Sequence, residues 1–256
     1  MTAHQKLVRE QRRREDADAD LFGRWWEGLD LNLRRAQVRP ITYETARSII
    51  EKYEWLGTMP AIVRFAYGVF FDGSCGGVVV YGDEYGENLG VWDAYGFTGR
   101  IICLSRGACA HWTPTGTASR LIRASMRLLP RRYEVVTATT DMEAGEIGTI
   151  YQACGFHCAK MNTNLRYQSA GVSSRTLRTA GLMNKRQIEA AGLTPKPERQ
   201  KGRYFAFRGP AAVVRRHRQA IAHLVQPYPK RAEKVSSSDT VEPNRQGGGR
   251  FPGSAP

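Results

Sequence analysis

Two runs rich in β-branched and aromatic residues, 64–71 and 77–81, stand on either side of Asp72-Gly73-Ser74. This arrangement constrains the fold more than any other stretch of the chain. Asp-Gly readily supplies the positive-φ conformations that a tight hairpin demands, so the two runs are expected to pair antiparallel. Residues 100–104 then form a short apolar strand. After a loop carrying Pro114 and Gly116, a helix with Ala118, Leu121, Ile122 and Leu129 apolar runs to a turn at Pro130. Residues 135–139 are again β-branched, and 145–153 read as a helix stopped by Gly155. A hairpin followed by two strand–helix units implies an α/β fold, a mixed central sheet with helices on both faces.

Upstream, Thr42 is placed to cap a helix whose Ala46, Ile49, Ile50 and Tyr53 fall on one face, ending near Gly57. Residues 164–168 and 204–207 are further candidate strands, with a helix near 184–191 between them. The 256 residues suffice for one domain plus tails. Residues 1–22, with their dense alternation KLVREQRRREDADAD, read as a charged N-terminal arm, a solvated helix or disordered, with no chemistry expected. Residues 23–230 are expected to form the folded domain. Residues 231–256, rich in Ser, Gly and Pro, form a disordered C-terminal tail. No apolar run approaches the roughly 18 residues of a membrane span, and no apolar signal segment opens the chain, so a soluble, unexported protein without a membrane partner is expected.

Lysine and arginine number 38 against 24 acidic residues, a net charge of +14 that attracts polyanions and makes nucleic acid the first partner to consider. Charge alone does not separate a DNA enzyme from an RNA-binding module or a merely basic protein. Five cysteines without a CxxC pair fit reduced thiols. Cys154 and Cys158 with His157, or Cys103 and Cys109 with His111, have poor spacing for zinc, and buried thiols are the better reading.

The segment TIYQACGFHCAKM, 149–161, resembles the last helix-and-strand signature of the GNAT acyltransferase fold through Tyr151, Gly155 and Phe156. Two longer blocks, LSRGACAHWTPTGTASRLI (104–122) and TTDMEAGEIGTIYQA (139–153), resemble the Mom family of phage DNA-modification proteins, and the likeness spans roughly 42–208. It implies a GNAT-like enzyme that converts adenine in phage DNA to an N6-carbamoylmethyl derivative, hiding restriction sites from the host. Carried over by position, the family's arginine, serine, aspartate and tyrosine fall on Arg106, Ser119, Asp141 and Tyr151. Where family members often have histidine, this chain has Glu54 and Glu146. The family has been linked to iron, so Glu54 would replace a histidine as a metal ligand.

The chemistry asks for particular side chains. Adenine N6 is stacked and paired in duplex DNA, so its base must be flipped or caught unpaired, and the pocket needs an aromatic platform. Trp55, Trp92, Tyr95, Trp112 and Tyr151 are candidates, with Trp112, beside His111 and Pro114, preferred. Asp141 either orients or deprotonates the amine, or caps the following helix. Tyr151 either donates a proton to a leaving group or packs in the core. Ser119 either hydrogen-bonds the donor or caps its helix, and Arg106 offers a fixed fork of donors to an anion. The compact glycine turn that binds pyrophosphate in ordinary GNAT enzymes is absent: Arg106-Gly107-Ala108 is followed by a longer 113–117 segment. Its absence counts against acetyl-CoA, and the donor stays open between acetyl-CoA and another acyl or glycyl carrier, one bearing a glycyl or carbamoylmethyl unit.

Arg120, Arg123 and Arg127 recur at i, i+3 and i+7 and form a basic stripe for the phosphates of double-stranded DNA. Lys160, Arg166, Arg175, Arg178, Lys185, Arg186, Lys201, Arg203 and the cluster 213–219 extend it. The leading expectation is a transferase acting on adenine in DNA in the host cytoplasm. The alternatives are a catalytically idle GNAT-fold DNA-binding protein and an acetyl-CoA-dependent N-acetyltransferase.

Overall fold

The computed structural model of the chain describes residues 4–18, 24–142, 145–159, 167–169, 181–182, 184–197 and 201–230. Its first helix, α1 (His4–Asp18), is the segment expected as a solvated arm. The helix is instead tied down along one side. Gln5 donates to the Tyr53 carbonyl at 2.5 Å, Arg12 to Lys52 at 2.8 Å, and Arg9 to His111 and Thr113 at 3.1 and 2.7 Å. Lys52 and Tyr53 end α2 (Tyr43–Tyr53), where helical carbonyls lack intrahelical partners, so α1 satisfies them from outside. At the other end of α2, the Thr42 side chain accepts the Thr45 N–H, as its spacing predicts.

Strand β1 (Gln37–Pro40) precedes α2 and pairs with β2 (Phe65–Phe71). Strand β3 (Ser74–Gly82) returns antiparallel to β2 through a turn in which Asp72 and Gly73 have φ of 43° and 83°. The hairpin expectation holds, with the second strand beginning earlier than its hydrophobic run suggests. Strand β4 (Ile101–Cys109) pairs antiparallel with β3. Helix α3 (Thr117–Leu128) then crosses the sheet, burying Leu121, Ile122 and Ser125, and leads to β5 (Val135–Asp141), parallel to β4.

Helix α4 (Thr149–Ala153) is shorter than the 145–153 expected, because Gly145 and Gly148 take φ of 76° and 66° and break the helical path. Strand β6 (His157–Ala159) follows. Strand β7 (Tyr167–Ser169), α5 (Lys185–Ala190) and β8 (Pro195–Pro197) come next, with β7 and β8 forming a separate two-stranded ladder. The strand expected at 164–168 therefore contributes nothing to the central sheet in its described part, and its residues 164–166 lie outside the described residues. Asn184 closes a capping box on α5. Strand β9 (Lys201–Phe207) enters the central sheet between β5 and β6, antiparallel to both, and α6 (Ala211–Ala220) follows.

The central sheet thus runs β1-β2-β3-β4-β5-β9-β6, a mixed sheet in which, among the described residues, β4 and β5 form the one parallel pair. Its main core gathers Val69, Tyr81, Leu121, Val136, Phe156 and Tyr204, with the Tyr81 and Ser125 hydroxyls 2.8 Å apart. A smaller cluster holds Trp92, Phe97, Phe205 and Ile221. Among the described residues no helix is long and apolar enough to cross a membrane, and the five cysteines are free thiols. The tail 231–256 and Lys160, Arg166, Arg175 and Arg178 lie outside the described residues.

Gly148 joins two demands, a left-handed backbone and a position where a Cβ would overlap the Tyr204 ring. Gly148→Ala should lower folding stability in urea titration by about 2–4 kcal/mol.

Candidate active site

The ladder between β4 and β5 stops at Leu104 and Ala138. Beyond that point β4 follows β3, with Ser105 bulged where the register passes from Val80–Arg106 to Tyr81–Leu104. β5 instead follows β9, ending at Asp141 opposite Lys201. A bulge bends and twists its strand, so the two parallel strands diverge from Ser105 onward. The gap opens into a cleft of about 530 Å³. Helices α3 and α4, the turn Glu54-Trp55-Leu56 and the Gln5–Lys6–Arg9 side of α1 complete its walls.

Glu146 links the two sides of this cleft. Its Oε1 accepts the Trp55 indole N–H at 2.8 Å, and its Oε2 accepts the Asp141 backbone N–H at 3.0 Å. The Glu146 N–H donates in turn to the Asp141 carbonyl at 3.1 Å. Trp55 thereby presents an indole to the cleft, and Asp141 lines it at the end of β5. In the sequence Glu146 stands out only as a departure from histidine; its position inside the 139–153 block was the available signal.

Tyr151 lines the cleft from α4, 5.3 Å from the rings of both Phe156 and Tyr204. Burial, reinforced by the nearby Glu146 charge, pushes its phenol well above the ordinary tyrosine range. Arg106 projects from β4 with Nε donating to Thr58 and Nη1 to Ser105, both at 3.0 Å, leaving Nη2 without a protein partner among the described residues. Ser119 stands outside the cleft lining, and its hydroxyl donates to the Gly116 carbonyl at 3.0 Å, a bond within its own helix start.

Trp112, the aromatic preferred from the sequence, is in the core instead, edge-on to Trp25 and Phe71 at 5.5 and 6.0 Å. It belongs to the main core and does not line the cleft. Trp92 and Tyr95 belong to the smaller cluster. The arginine stripe is divided as well: Arg120 donates to the Ala36 carbonyl at 2.8 Å and Arg123 to that of Ala153, while Arg127 is exposed beside the groove between β1 and α3. Arg203 is also withdrawn from the surface, paired with the buried Glu84 at 2.5 Å. In the 213–219 cluster His217 is buried and bonds Glu134 at 2.8 Å.

Glu54 caps the end of α2, its Oε2 accepting the Leu56 and Gly57 N–H groups at 3.0 and 3.1 Å. Burial raises its pKa, Arg106 opposes the rise, and Glu146 adds to it. Among the described residues no three His, Cys, Asp or Glu side chains converge as a metal site. The described residues therefore do not fit the iron centre implied by the family likeness, and Glu54 serves the backbone instead. Burial also lifts the Cys103 and Cys109 thiols to about 11 and about 12, which keeps them protonated near neutral pH.

A profile of the Mom protein family matches residues 35–230. No curated protein matches the chain in sequence. Solved structures similar to it include an IAA acetyltransferase from Bacillus cereus ATCC 14579, 12% identical over 68% of this chain and 99% of its own, with a TM-score of 0.38. A GNAT family acetyltransferase from Elizabethkingia anophelis with acetyl-CoA bound is 12% identical over 68% and 98%, with a TM-score of 0.38. An acetyltransferase of the GNAT family from Streptococcus pneumoniae is 9% identical over 68% and 99%, again with a TM-score of 0.38.

Because Glu54 has a raised folded-state pKa, its contribution to stability is present below the ordinary glutamate range and is lost as pH rises through the folded value. Glu54→Gln, which cannot ionise, should therefore gain stability relative to the parent chain over the interval in which pH rises above about 4, the ordinary glutamate range. Urea titrations across that interval measure the difference; a constant offset would contradict it.

Proposed function

The chain belongs to the Mom protein family, and from that premise we propose that it is a transferase that places a carbamoylmethyl group on N6 of adenine in double-stranded DNA. In an infected cell's cytoplasm the modified base would hide restriction sites from the host. The observation that carries this reading is the cleft between the diverging strands, with Asp141, Glu146 and Trp55 joined in one hydrogen-bonded set.

A base taken out of the duplex needs a flat apolar surface and a polar group at its exocyclic amine. Trp55 supplies the surface, its ring fixed by the bond to Glu146. The amine lone pair is delocalised into the purine, so attack on carbon requires loss of an N–H proton as the new bond forms. Asp141 takes that proton, and Glu146 keeps the end of β5 in place while it does so. Tyr151, held in its protonated form by burial, donates to the leaving group as the bond to the donor carbon breaks. Arg106 holds a carbonyl or an anion of the donor.

For the step to balance, the donor carries the carbamoylmethyl unit with its leaving group on the methylene carbon, so that the N6–CH2 bond forms as the bond from CH2 to the leaving group breaks; acetyl-CoA or a glycyl carrier attacked at its carbonyl would leave an N6-acetyl or N6-glycyl amide instead. Residues 105–109 have no β5 partner, so the edge of β4 facing the cleft is open to an extended, amide-bearing molecule that adds alongside it as a strand would. The net charge of +14 supports DNA as the acceptor.

The test is to express the chain in a bacterium, digest plasmid DNA to nucleosides and weigh the deoxyadenosine. The expected result is a carbamoylmethyl-sized increment that Asp141→Ala abolishes. Asp141→Asn and Tyr151→Phe should each lower the modified fraction about 100-fold or more, and Arg106→Lys should also reduce it. Unmodified DNA from soluble, folded protein would favour an idle DNA-binding protein.

A further inference from the structure

Helix α1 lies outside the matched 35–230 segment, yet Lys6 and Arg9 line the cleft. The two residues are three apart and share a face of the helix. The helix is anchored by polar side chains rather than by an apolar stripe, for Leu7 is 55% exposed while Gln5, Arg9 and Arg12 reach backbone carbonyls. This anchoring leaves Lys6 unanchored. Its ammonium is exposed at the cleft, and among the described residues no carboxylate pairs with it. Arg9 Nη2 donates to the loop between β4 and α3, while its Nε is buried without a partner among the described residues.

Two of the acidic groups that line the cleft, Glu54 and Glu146, are turned to other partners. Glu54 accepts two backbone N–H groups, and Glu146 is held by Trp55 and Asp141. Arg106 is fixed by the Thr58 and Ser105 carbonyls. The ammonium on α1 is thus an uncommitted positive charge at the cleft, with a guanidinium behind it.

We propose that α1 supplies a phosphate-binding lip to the cleft, with the Lys6 ammonium contacting the phosphate and Arg9 fixing the helix and adding its charge. The phosphate has two sources in keeping with the proposed reaction, the pyrophosphate of a nucleotide-bearing donor and the backbone of the acceptor DNA. A compact ammonium acts on either as a point charge. The inference rests on the cleft being the substrate site, as the preceding reading has it, but does not require the carbamoylmethyl chemistry.

The experiment uses the full chain with Lys6→Ala and Lys6→Glu. Arg14→Ala serves as a control, since its side chain is 76% exposed on the same helix and removes the same charge. Calorimetry measures binding of coenzyme A, and fluorescence anisotropy measures binding of a labelled DNA duplex over a series of salt concentrations. Lys6→Ala should weaken one ligand by about three- to tenfold, Lys6→Glu by more, and Arg14→Ala neither.

Loss confined to coenzyme A assigns the lip to the donor. Loss confined to DNA, with the salt dependence reduced by about one ion, assigns it to the acceptor. The proposal is overturned if the Lys6 variants bind both ligands as the parent does, if Arg14→Ala weakens binding equally, or if the parent binds neither. Lys6-dependent binding together with unmodified adenine would overturn the proposed reaction and leave the lip standing.

Discussion

The divergence of β4 and β5 after Leu104 and Ala138 organises this molecule. Two parallel strands can separate only if each has another neighbour to keep its backbone paired. β3 serves β4 through the bulge at Ser105, and β9 serves β5 as far as Asp141. The sheet therefore opens without leaving either strand unsupported. α3 and α4 cover the opening with Leu121, Ile122 and Tyr151, so the cleft has apolar walls and polar groups concentrated at the turn after α2 and the end of β5.

A second theme is the use of arginine inside the fold. Arg9, Arg106, Arg120 and Arg123 all donate to main-chain carbonyls, and Arg208 reaches three, those of Leu129, Pro130 and Tyr133. Such side chains fasten loops and helix ends that lack backbone partners. They also make net charge a poor map of where a polyanion meets the surface. The charge of +14 includes many guanidinium groups already committed to the chain's own carbonyls.

What the sequence made legible was local. The Asp72-Gly73 turn, the Thr42 cap and the apolar positions of α2 and α3 depend on neighbours within a few residues, and periodicity captures them. The position of β9 between β5 and β6 depends on pairing across a long separation, and no local pattern encodes it. Docking of α1 was hidden for a different reason: its attachment is polar, so its sequence has the alternating charge of a solvated helix. Within the site, Asp141, Tyr151 and Arg106 line one cleft, whereas Trp112 and Trp55 could be told apart only by what surrounds each ring. Glu146 could not be read because its two bonds join residues 91 and 5 positions away.

The place of β9 also bears on how the chain comes to be assembled. Both β5 and β6 wait for a strand that emerges from the ribosome only after residues 201–207 have been made. Until then the β-branched β5 has one flank open, the sort of unpaired edge that invites contact with other chains. A ribosome-bound fragment can complete the β1–β4 pairings early, but the half that carries Asp141 must remain provisional until residues 201–207 have emerged.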